Sequence, residues 1–231
     1  MLLLALDSAS SVSSAALCDD AGRILSYLRG ESAPDQADRL IELIDDVLRA
    51  AALDYGAIDV IAVDRGPGSF TGIRAGVAAA RGLALAMRRP VVAINSLEAL
   101  AAVVGPQPAG TILAARDARR RQVYLQIFDH ELMALSEPRA LAPEDVMLAG
   151  LAPPLLLAGD GAALVRAALP DDLPAAQNDV ESDALGVARR AIARLAAGER
   201  PVPGHAVQPL YLRPPDARLP ERPRVGATVG T

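Results

Sequence analysis

Gly66-Pro67-Gly68-Ser69-Phe70-Thr71-Gly72 stands between an apolar run at residues 58–63 and a run of helical periodicity at residues 73–87. The apolar run predicts a buried strand, and the second run predicts a helix. A strand, a glycine-rich turn and a helix N-terminus together aim free backbone N–H groups at one point. The stretch therefore predicts an α/β unit in which the turn either binds an anion or lets two backbones come into contact.

The segments on either side extend this α/β pattern. The sequence predicts strands at residues 2–6, 12–18, 23–28, 91–94, 111–115, 123–128 and 155–158, and further helices at 36–53, 96–104 and 182–197. Ser96 is the predicted cap of the helix at 96–104. This order predicts mixed sheets flanked by helices, with the second half of the chain a reduced copy of the first.

The predicted boundaries follow from the glycine and proline content. A linker at residues 105–110 separates a first domain, 1–105, from a smaller second domain, 106–213, and the proline-rich residues 214–231 form a disordered tail.

The composition excludes several kinds of chemistry. All 23 basic residues are arginine, so no catalytic or phosphate-binding lysine exists. Cys18 is the single cysteine, and the two histidines, His130 and His205, form no ligand pair, which predicts that the chain holds no metal. A net charge of −5 and 3% aromatic residues argue against an autonomous nucleic-acid binder. No apolar run reaches the ~18 residues of a membrane span, and a basic leader is missing, so we expect a cytoplasmic protein.

Several motifs, in order along the chain, carry a family resemblance. They are LALDSASSVSSAAL (4–17), VDRGPGSFTGIRAGVAAARGLA (63–84), INSLEALA (94–101), RDARRRQVY (116–124), AGDG (158–161) and PLYLR (209–213). With them the chain resembles the TsaB (YeaZ) family of tRNA threonylcarbamoyladenosine biosynthesis. GPGSFTGIR is the most specific of these motifs.

The resemblance implies a two-domain actin-like ATPase fold (ASKHA, ribonuclease H-like). It also implies a non-catalytic accessory subunit that binds and activates TsaD. With TsaE, TsaD transfers a threonylcarbamoyl group to N6 of adenosine 37 in tRNAs reading ANN codons. The expected state is a heterodimer with TsaD, or a homodimer when TsaD is absent. The chain is expected to have no activity alone, to need no cofactor, and to meet tRNA only within the complex.

The glycine-rich helix is the predicted partner interface. Gly72 and Gly76 lie four residues apart and are followed by alanines, a spacing that lets a second helix approach closely. Phe70 would be an aromatic anchor beside this surface. The predicted interface residues are Gly68, Ser69, Phe70, Thr71, Gly72, Ile73, Gly76, Val77 and Ala80.

Two loops are candidates for weak ATP or ADP binding. Asp7, Ser8 and Ser10 stand where the actin-like fold has its first phosphate loop, but no glycine lies between Asp7 and Cys18, and an ordinary strand–turn–strand is the alternative. Gly159-Asp160-Gly161 matches the second such loop, although this turn is common.

The densest basic run has two open interpretations. Arg116, Arg119, Arg120 and Arg121 either contact tRNA phosphates within the complex or form a solvated turn in which Asp117 makes a local hydrogen bond.

Two other functions remain as alternatives. An ATP-dependent small-molecule kinase of the same fold would use Asp7 as its base, and an M22-type peptidase would need zinc ligands that the sequence lacks. Two departures from the family pattern also have no assigned effect. Pro34-Asp35-Gln36-Ala37-Asp38 stands where many relatives have a histidine, and Asp64-Arg65 is a charged pair that could alter a partner salt bridge.

Overall fold

The computed structural model describes residues 1–31 and 39–213. The predicted tail at 214–231, the segment at 34–38 and the start of the helix predicted at 36–53 lie outside these residues.

The first half of the chain builds a mixed sheet of β1 to β5 in the order β3-β2-β1-β4-β5. β1, β4 and β5 are parallel, while β2 pairs antiparallel with β1 and β3 pairs antiparallel with β2. Fully buried apolar side chains fill β1, β2 and β4, as expected for strands covered on both faces. The strands are β1 (Leu2–Asp7), β2 (Ser14–Asp19), β3 (Ile24–Arg29), β4 (Val60–Asp64) and β5 (Val91–Ile94).

The second half repeats this topology, which confirms the expected reduced copy. Its sheet has the order β10-β9-β6-β7-β8, so β6, β7, β8, β9 and β10 correspond to β1 to β5 in turn. Parallel and antiparallel pairs match those of the first sheet. The strands are β6 (Thr111–Arg119), β7 (Gln122–Asp129), β8 (Arg139–Leu141), β9 (Leu155–Ala158) and β10 (Ala175–Asn178).

Helices cover both faces of the sheets, so the predicted fold class is confirmed. α1 (Leu40–Ala50) and α2 (Phe70–Met87) pack on one face of the first sheet. α5 (Ala184–Ala196) packs on its other face and contacts α3 (Ser96–Val104), which packs on the second sheet. α4 (Ala162–Ala168) covers the outer face of the second sheet.

Some element ends differ from the predictions. α2 begins at Phe70 rather than at residue 73, because the Ser69 side chain accepts a hydrogen bond from Gly72 N at 3.2 Å and caps the helix. Asn95, not Ser96, caps α3 through a capping box with Glu98. β8, β10 and α4 were not predicted, since each is short and two of them are partly exposed.

The chain returns to the first sheet after building the second. Ala184, Val187, Ala188 and Ala191 of α5 are buried against the first sheet, and Val202 forms an antiparallel bridge with Val91 of β5. The predicted domain boundary between residues 105 and 106 stays a prediction. The core of the first sheet also contains residues of α5, which lies beyond that boundary in the sequence. Within residues 1–31 and 39–213, no helix has the length and apolarity needed to cross a bilayer.

Candidate functional site

Two glycines of α2, Gly72 and Gly76, make room for the loop that follows β1. The loop after β1 lies on α2, and the Ser8 hydroxyl donates to the Gly72 carbonyl oxygen at 2.8 Å. The Ser8 carbonyl oxygen occupies the space that a Cβ at Gly72 would need, and a Cβ at Gly76 would lie 2.5 Å from Ser8 Oγ. Ser69 N also donates to the Ala9 carbonyl at 2.9 Å. These glycines are therefore required for close packing inside one chain.

Burial corrects much of the predicted partner surface. Only Ser69, Phe70 and Thr71 of the predicted set are exposed, and Gly68 is partly buried. The others face the core between α2 and the first sheet because they form the apolar stripe of the helix. The buried residues are Gly72, Ile73, Gly76, Val77 and Ala80.

The opposite face of α2 is the one available to a partner. Thr71, Ala75, Ala78, Gly82 and Leu85 recur at spacings of three and four residues, the repeat of a helix–helix seam. The Leu85 side chain is 83% exposed, and a Cβ at Gly82 would meet no atom within 4 Å. We call these five residues the outer stripe. Of this stripe the predicted interface includes only Thr71, although the heptad spacing of Leu85 from Ala78 is a sequence signal for it.

An aromatic and guanidinium cluster lies at the N-terminal end of α2. The Phe70 and Tyr211 rings have centroids 5.5 Å apart, and the Arg74 guanidinium lies 3.8 Å from the Phe70 centroid. Arg74 Nε donates to the Tyr211 hydroxyl at 3.0 Å. Phe70 is 49% exposed and Tyr211 is 44% exposed, so the cluster is prearranged at the surface, as an interface anchor requires.

The first candidate phosphate loop is occupied by the chain itself. Asp7 is fully buried and accepts hydrogen bonds from Ala9 N at 2.7 Å, Ser10 N at 3.3 Å and the Ser10 hydroxyl at 2.9 Å. Ser10 Oγ also lies 2.9 Å from both the carbonyl and the hydroxyl of Ser182. Burial raises the pKa of Asp7 above its usual value, while the Arg116 charge lowers it. Both carboxylate oxygens of Asp7 therefore already have donors.

Asp64 is a second buried carboxylate beside the first. Its Oδ1 accepts from Gly66 N and from the Ser96 hydroxyl, both at 2.7 Å, and its Oδ2 has no hydrogen-bond partner. Burial, and then the negative charge of Asp7, raise the pKa of Asp64 to about 8. Because the side chain is enclosed, Asp64 does not form the partner salt bridge suggested by the sequence.

Arg116 joins the two halves of the molecule. From β6 its guanidinium donates to the Pro67 carbonyl and to the Ala9 carbonyl, each at 3.1 Å. A Cβ at Gly68 would lie 2.9 Å from Arg116 Nη1, so glycine makes room for this contact. Arg116 therefore has a structural role, and its contact with tRNA stays a prediction.

The remaining arginines of the basic run form the hairpin between β6 and β7. Arg119, Arg120 and Arg121 are exposed, and all have positive φ, at 60°, 54° and 59°. Asp117 accepts from Arg119 N at 2.7 Å, which is the local turn hydrogen bond of one sequence interpretation.

The second candidate phosphate loop packs against β6. At Gly159 and Gly161 a Cβ would collide with the Ala115 and Arg116 backbone, and Gly161 N donates to the Ala115 carbonyl at 3.1 Å. Asp160 Oδ1 accepts from Asp117 N at 3.1 Å. Close packing against β6 therefore explains why both positions are glycine, and nucleotide binding is not needed to explain them.

A cleft of about 660 Å3 opens where the two sheets meet. The loops after β1, β4 and β9 and the last residues of β6 contribute to it, as the ends of parallel strands do in open α/β folds. Arginine and aromatic side chains line the cleft together with Asp117, Asp160 and Glu181. Among residues 1–31 and 39–213, no group of histidine, cysteine and carboxylate side chains could hold a metal ion.

The two matched mixed sheets, with helices on their faces and a cleft between them, define an α/β protein built from two copies of one sheet topology. The family model described as TsaD, tRNA N6-adenosine threonylcarbamoyltransferase, matches residues 31–176. YeaZ from Pseudomonas aeruginosa is similar in structure, with a TM-score of 0.81 and 32% identity over 91% of this chain and 99% of that one. The chain belongs to the TsaB (YeaZ) family.

Curated relatives agree with this assignment. The proteins named tRNA threonylcarbamoyladenosine biosynthesis protein TsaB from Haemophilus influenzae and Escherichia coli are each 35% identical to the chain, over 125 and 126 residues. These matches cover 54% of this chain, and 52% and 53% of the relatives. The chain therefore spans about half the length of these curated relatives.

Proposed function

We propose that the chain is the non-catalytic subunit that binds and activates TsaD for threonylcarbamoyl transfer to N6 of adenosine 37 in tRNA. The outer stripe of α2 is the observation that carries this proposal. Small residues around an exposed Leu85 suit close packing against a second helix, and the Phe70–Arg74–Tyr211 cluster supplies an anchor at one end.

The likeness to TsaD supports the choice of partner. The matching family model bears the name of TsaD, and its match includes the whole of α2. A face that pairs with its own copy in a two-fold dimer can pair with a homologous helix in the same manner. The same stripe would thus serve a homodimer when TsaD is absent and the heterodimer when TsaD is present.

The contacts of Asp7 beside the cleft support a non-catalytic role. Asp7 would be the only base of a kinase, yet Ala9, Ser10 and Arg116 already surround its charge. We propose that the chain needs no cofactor of its own, that it acts in the cytoplasm, that it helps to recruit TsaE, and that it meets tRNA only within the complex with TsaD.

The proposal is tested by association with purified TsaD in size-exclusion chromatography. Leu85→Arg places a charge in the outer stripe without touching the core, and Met147→Arg, at a side chain that is 76% exposed on the second half, is the matched control. We expect Leu85→Arg to weaken the complex at least tenfold, whereas Met147→Arg leaves it unchanged. Gly82→Arg should act like Leu85→Arg, since nothing in the monomer obstructs its side chain.

Co-elution of Leu85→Arg and Gly82→Arg with TsaD at parental affinity would contradict the interface. The glycine at position 76 is unsuitable for this test, because arginine there would collide with Ser8 and unfold the monomer.

A further inference from the structure

The hairpin between β6 and β7 carries arginine where the backbone disfavours it. Arg119, Arg120 and Arg121 are consecutive residues in the left-handed region, which costs a residue with a Cβ about 1–2 kcal/mol. Glycine, asparagine or aspartate would fit this turn at a lower cost. Packing does not require arginine either, since all these positions are exposed. Backbone preference and core packing therefore do not account for three arginines in this turn, and the ion pair of Arg119 with Asp117, at 3.1 Å, leaves the Arg119 side chain 84% exposed.

Further arginine and aromatic side chains surround the base of this hairpin. Arg213 donates to the Ala118 carbonyl at 2.7 Å and to Gln122 Oε1 at 3.1 Å, which fixes its guanidinium against the hairpin. Arg119 and Arg213 line the cleft together with Tyr124, Tyr211 and Phe70. The carboxylates of the cleft have partners within the chain: Asp117 accepts from Arg119 N and from the Arg119 guanidinium, and Asp160 accepts from Asp117 N. Glu181 pairs with Arg29 at 2.6 Å.

We propose that this surface contacts an RNA strand, with Arg119, Arg120, Arg121 and Arg213 at its phosphates and Tyr124 beside an unpaired base. The inference rests on the proposed function, which brings tRNA to the assembly. Guanidinium groups bind phosphate through paired N–H donors, and rings beside them are typical of single-stranded RNA sites. Because the whole chain has a net charge of −5, we expect this surface to bind RNA weakly alone and to contribute part of the RNA affinity of the complex.

The variant Arg119→Asn/Arg120→Asn/Arg121→Asn tests the surface. Asparagine tolerates the left-handed conformation, so the hairpin keeps its shape while its charge is removed. Arg23→Gln/Arg49→Gln/Arg200→Gln is the matched control, because it removes the same charge from other exposed positions. The measurement is binding of unmodified tRNA to the assembled complex over a series of salt concentrations.

We expect the hairpin variant to bind tRNA about tenfold or more weakly and to lower the salt slope by about two to three, about one for each lost phosphate contact. The control should change both quantities far less. Equal losses in both variants, or parental binding by the hairpin variant, would overturn the proposal. Loss of TsaD or TsaE association with unchanged tRNA affinity would also overturn it, since the surface would then bind an acidic protein.

A second measurement separates this proposal from the proposed function. The chain alone is titrated with fluorescent tRNA at about 50 mM salt, where phosphate contacts are strongest. Weak binding by the parent that the hairpin variant loses supports the RNA surface even if TsaD does not associate. Equal binding by both forms of the isolated chain counts against it.

Discussion

The Ser8 hydroxyl donates to the Gly72 carbonyl oxygen at 2.8 Å, while the Ser8 carbonyl oxygen fills the space beside the Gly72 Cα. This pair attaches the loop after β1 to the first turn of α2. It explains why the motif needs glycine within a helix, where glycine is otherwise unfavourable. The motif therefore holds the chain's own loop in place and directs the other face of α2 outwards.

Replacing Gly72 should destabilise the monomer, and replacing Gly82 should not. We expect Gly72→Ala to lower the free energy of unfolding by about 2 kcal/mol, because the backbone of Ser8 must move. Gly82→Ala should raise it by about 0.5–1 kcal/mol, since it only removes a helical glycine. Urea denaturation of both variants measures the contrast, and equal effects would be inconsistent with it.

Loss of the Arg116 guanidinium should loosen the junction between the sheets. Arg116→Met removes two charged hydrogen bonds and leaves the buried charge of Asp7 uncompensated, so we expect a loss of about 3 kcal/mol in unfolding free energy. Arg121→Met, in the same basic run but exposed, should change stability by less than about 0.5 kcal/mol. If the two variants are equally stable in urea, the hydrogen bonds of Arg116 do not stabilise the junction between the sheets.

Asp64 should make the stability of the protein fall as the pH rises. Its pKa is raised from 3.8 to about 8 in the folded chain, so the folded state binds more protons than the unfolded state between these values. Stability from this group is complete below the lower value and is lost as the pH passes through the upper one. Asp64→Asn mimics the protonated acid and removes this dependence.

The measurement for Asp64 is the difference in unfolding free energy between Asp64→Asn and the parent. It should grow in favour of the variant by roughly 2 kcal/mol between about pH 6 and about pH 8. Contributions from groups that do not interact with Asp64 cancel in this difference. A difference that does not vary with pH would mean that Asp64 is ionised throughout.

The kinase alternative predicts turnover that we do not expect. Calorimetry with ATP and magnesium, combined with an assay for ADP release, should show no hydrolysis or phosphoryl transfer by the isolated chain, because both oxygens of Asp7 are bonded within the chain. Asp7→Asn is the control for contaminating activity. Micromolar affinity with turnover that Asp7→Asn abolishes would restore the alternative.

Most of the fold could be predicted because local patterns determine it. Apolar runs gave the central strands, and the repeat of Ile73, Val77, Ala80 and Ala84 gave the buried face of α2. The strands and helix that were missed, β8, β10 and α4, have three to seven residues and too few positions to establish a period. Their stability comes from the neighbouring elements rather than from their own sequence.

The candidate site was harder to predict, because its contacts join distant parts of the chain. The small residues at 72 and 76 predict a partner surface, because sequence spacing alone does not show that Ser8 of the same chain fills the space beside them. Arg116 meets Ala9 across 107 positions, and Tyr211 meets Arg74 across 137. The outer stripe of α2 can be identified only after the buried face of the helix is known from the structure.

Reconstituted tRNA threonylcarbamoylation is the most direct test of the central claim. Purified TsaC-type enzyme, TsaD, TsaE and unmodified tRNA are combined without this chain, with the parent chain, with Leu85→Arg, or with Met147→Arg. We predict modification of adenosine 37 with the parent and Met147→Arg only, because both keep the outer stripe of α2. Equal modification without the chain, or full activation by Leu85→Arg, would contradict the account.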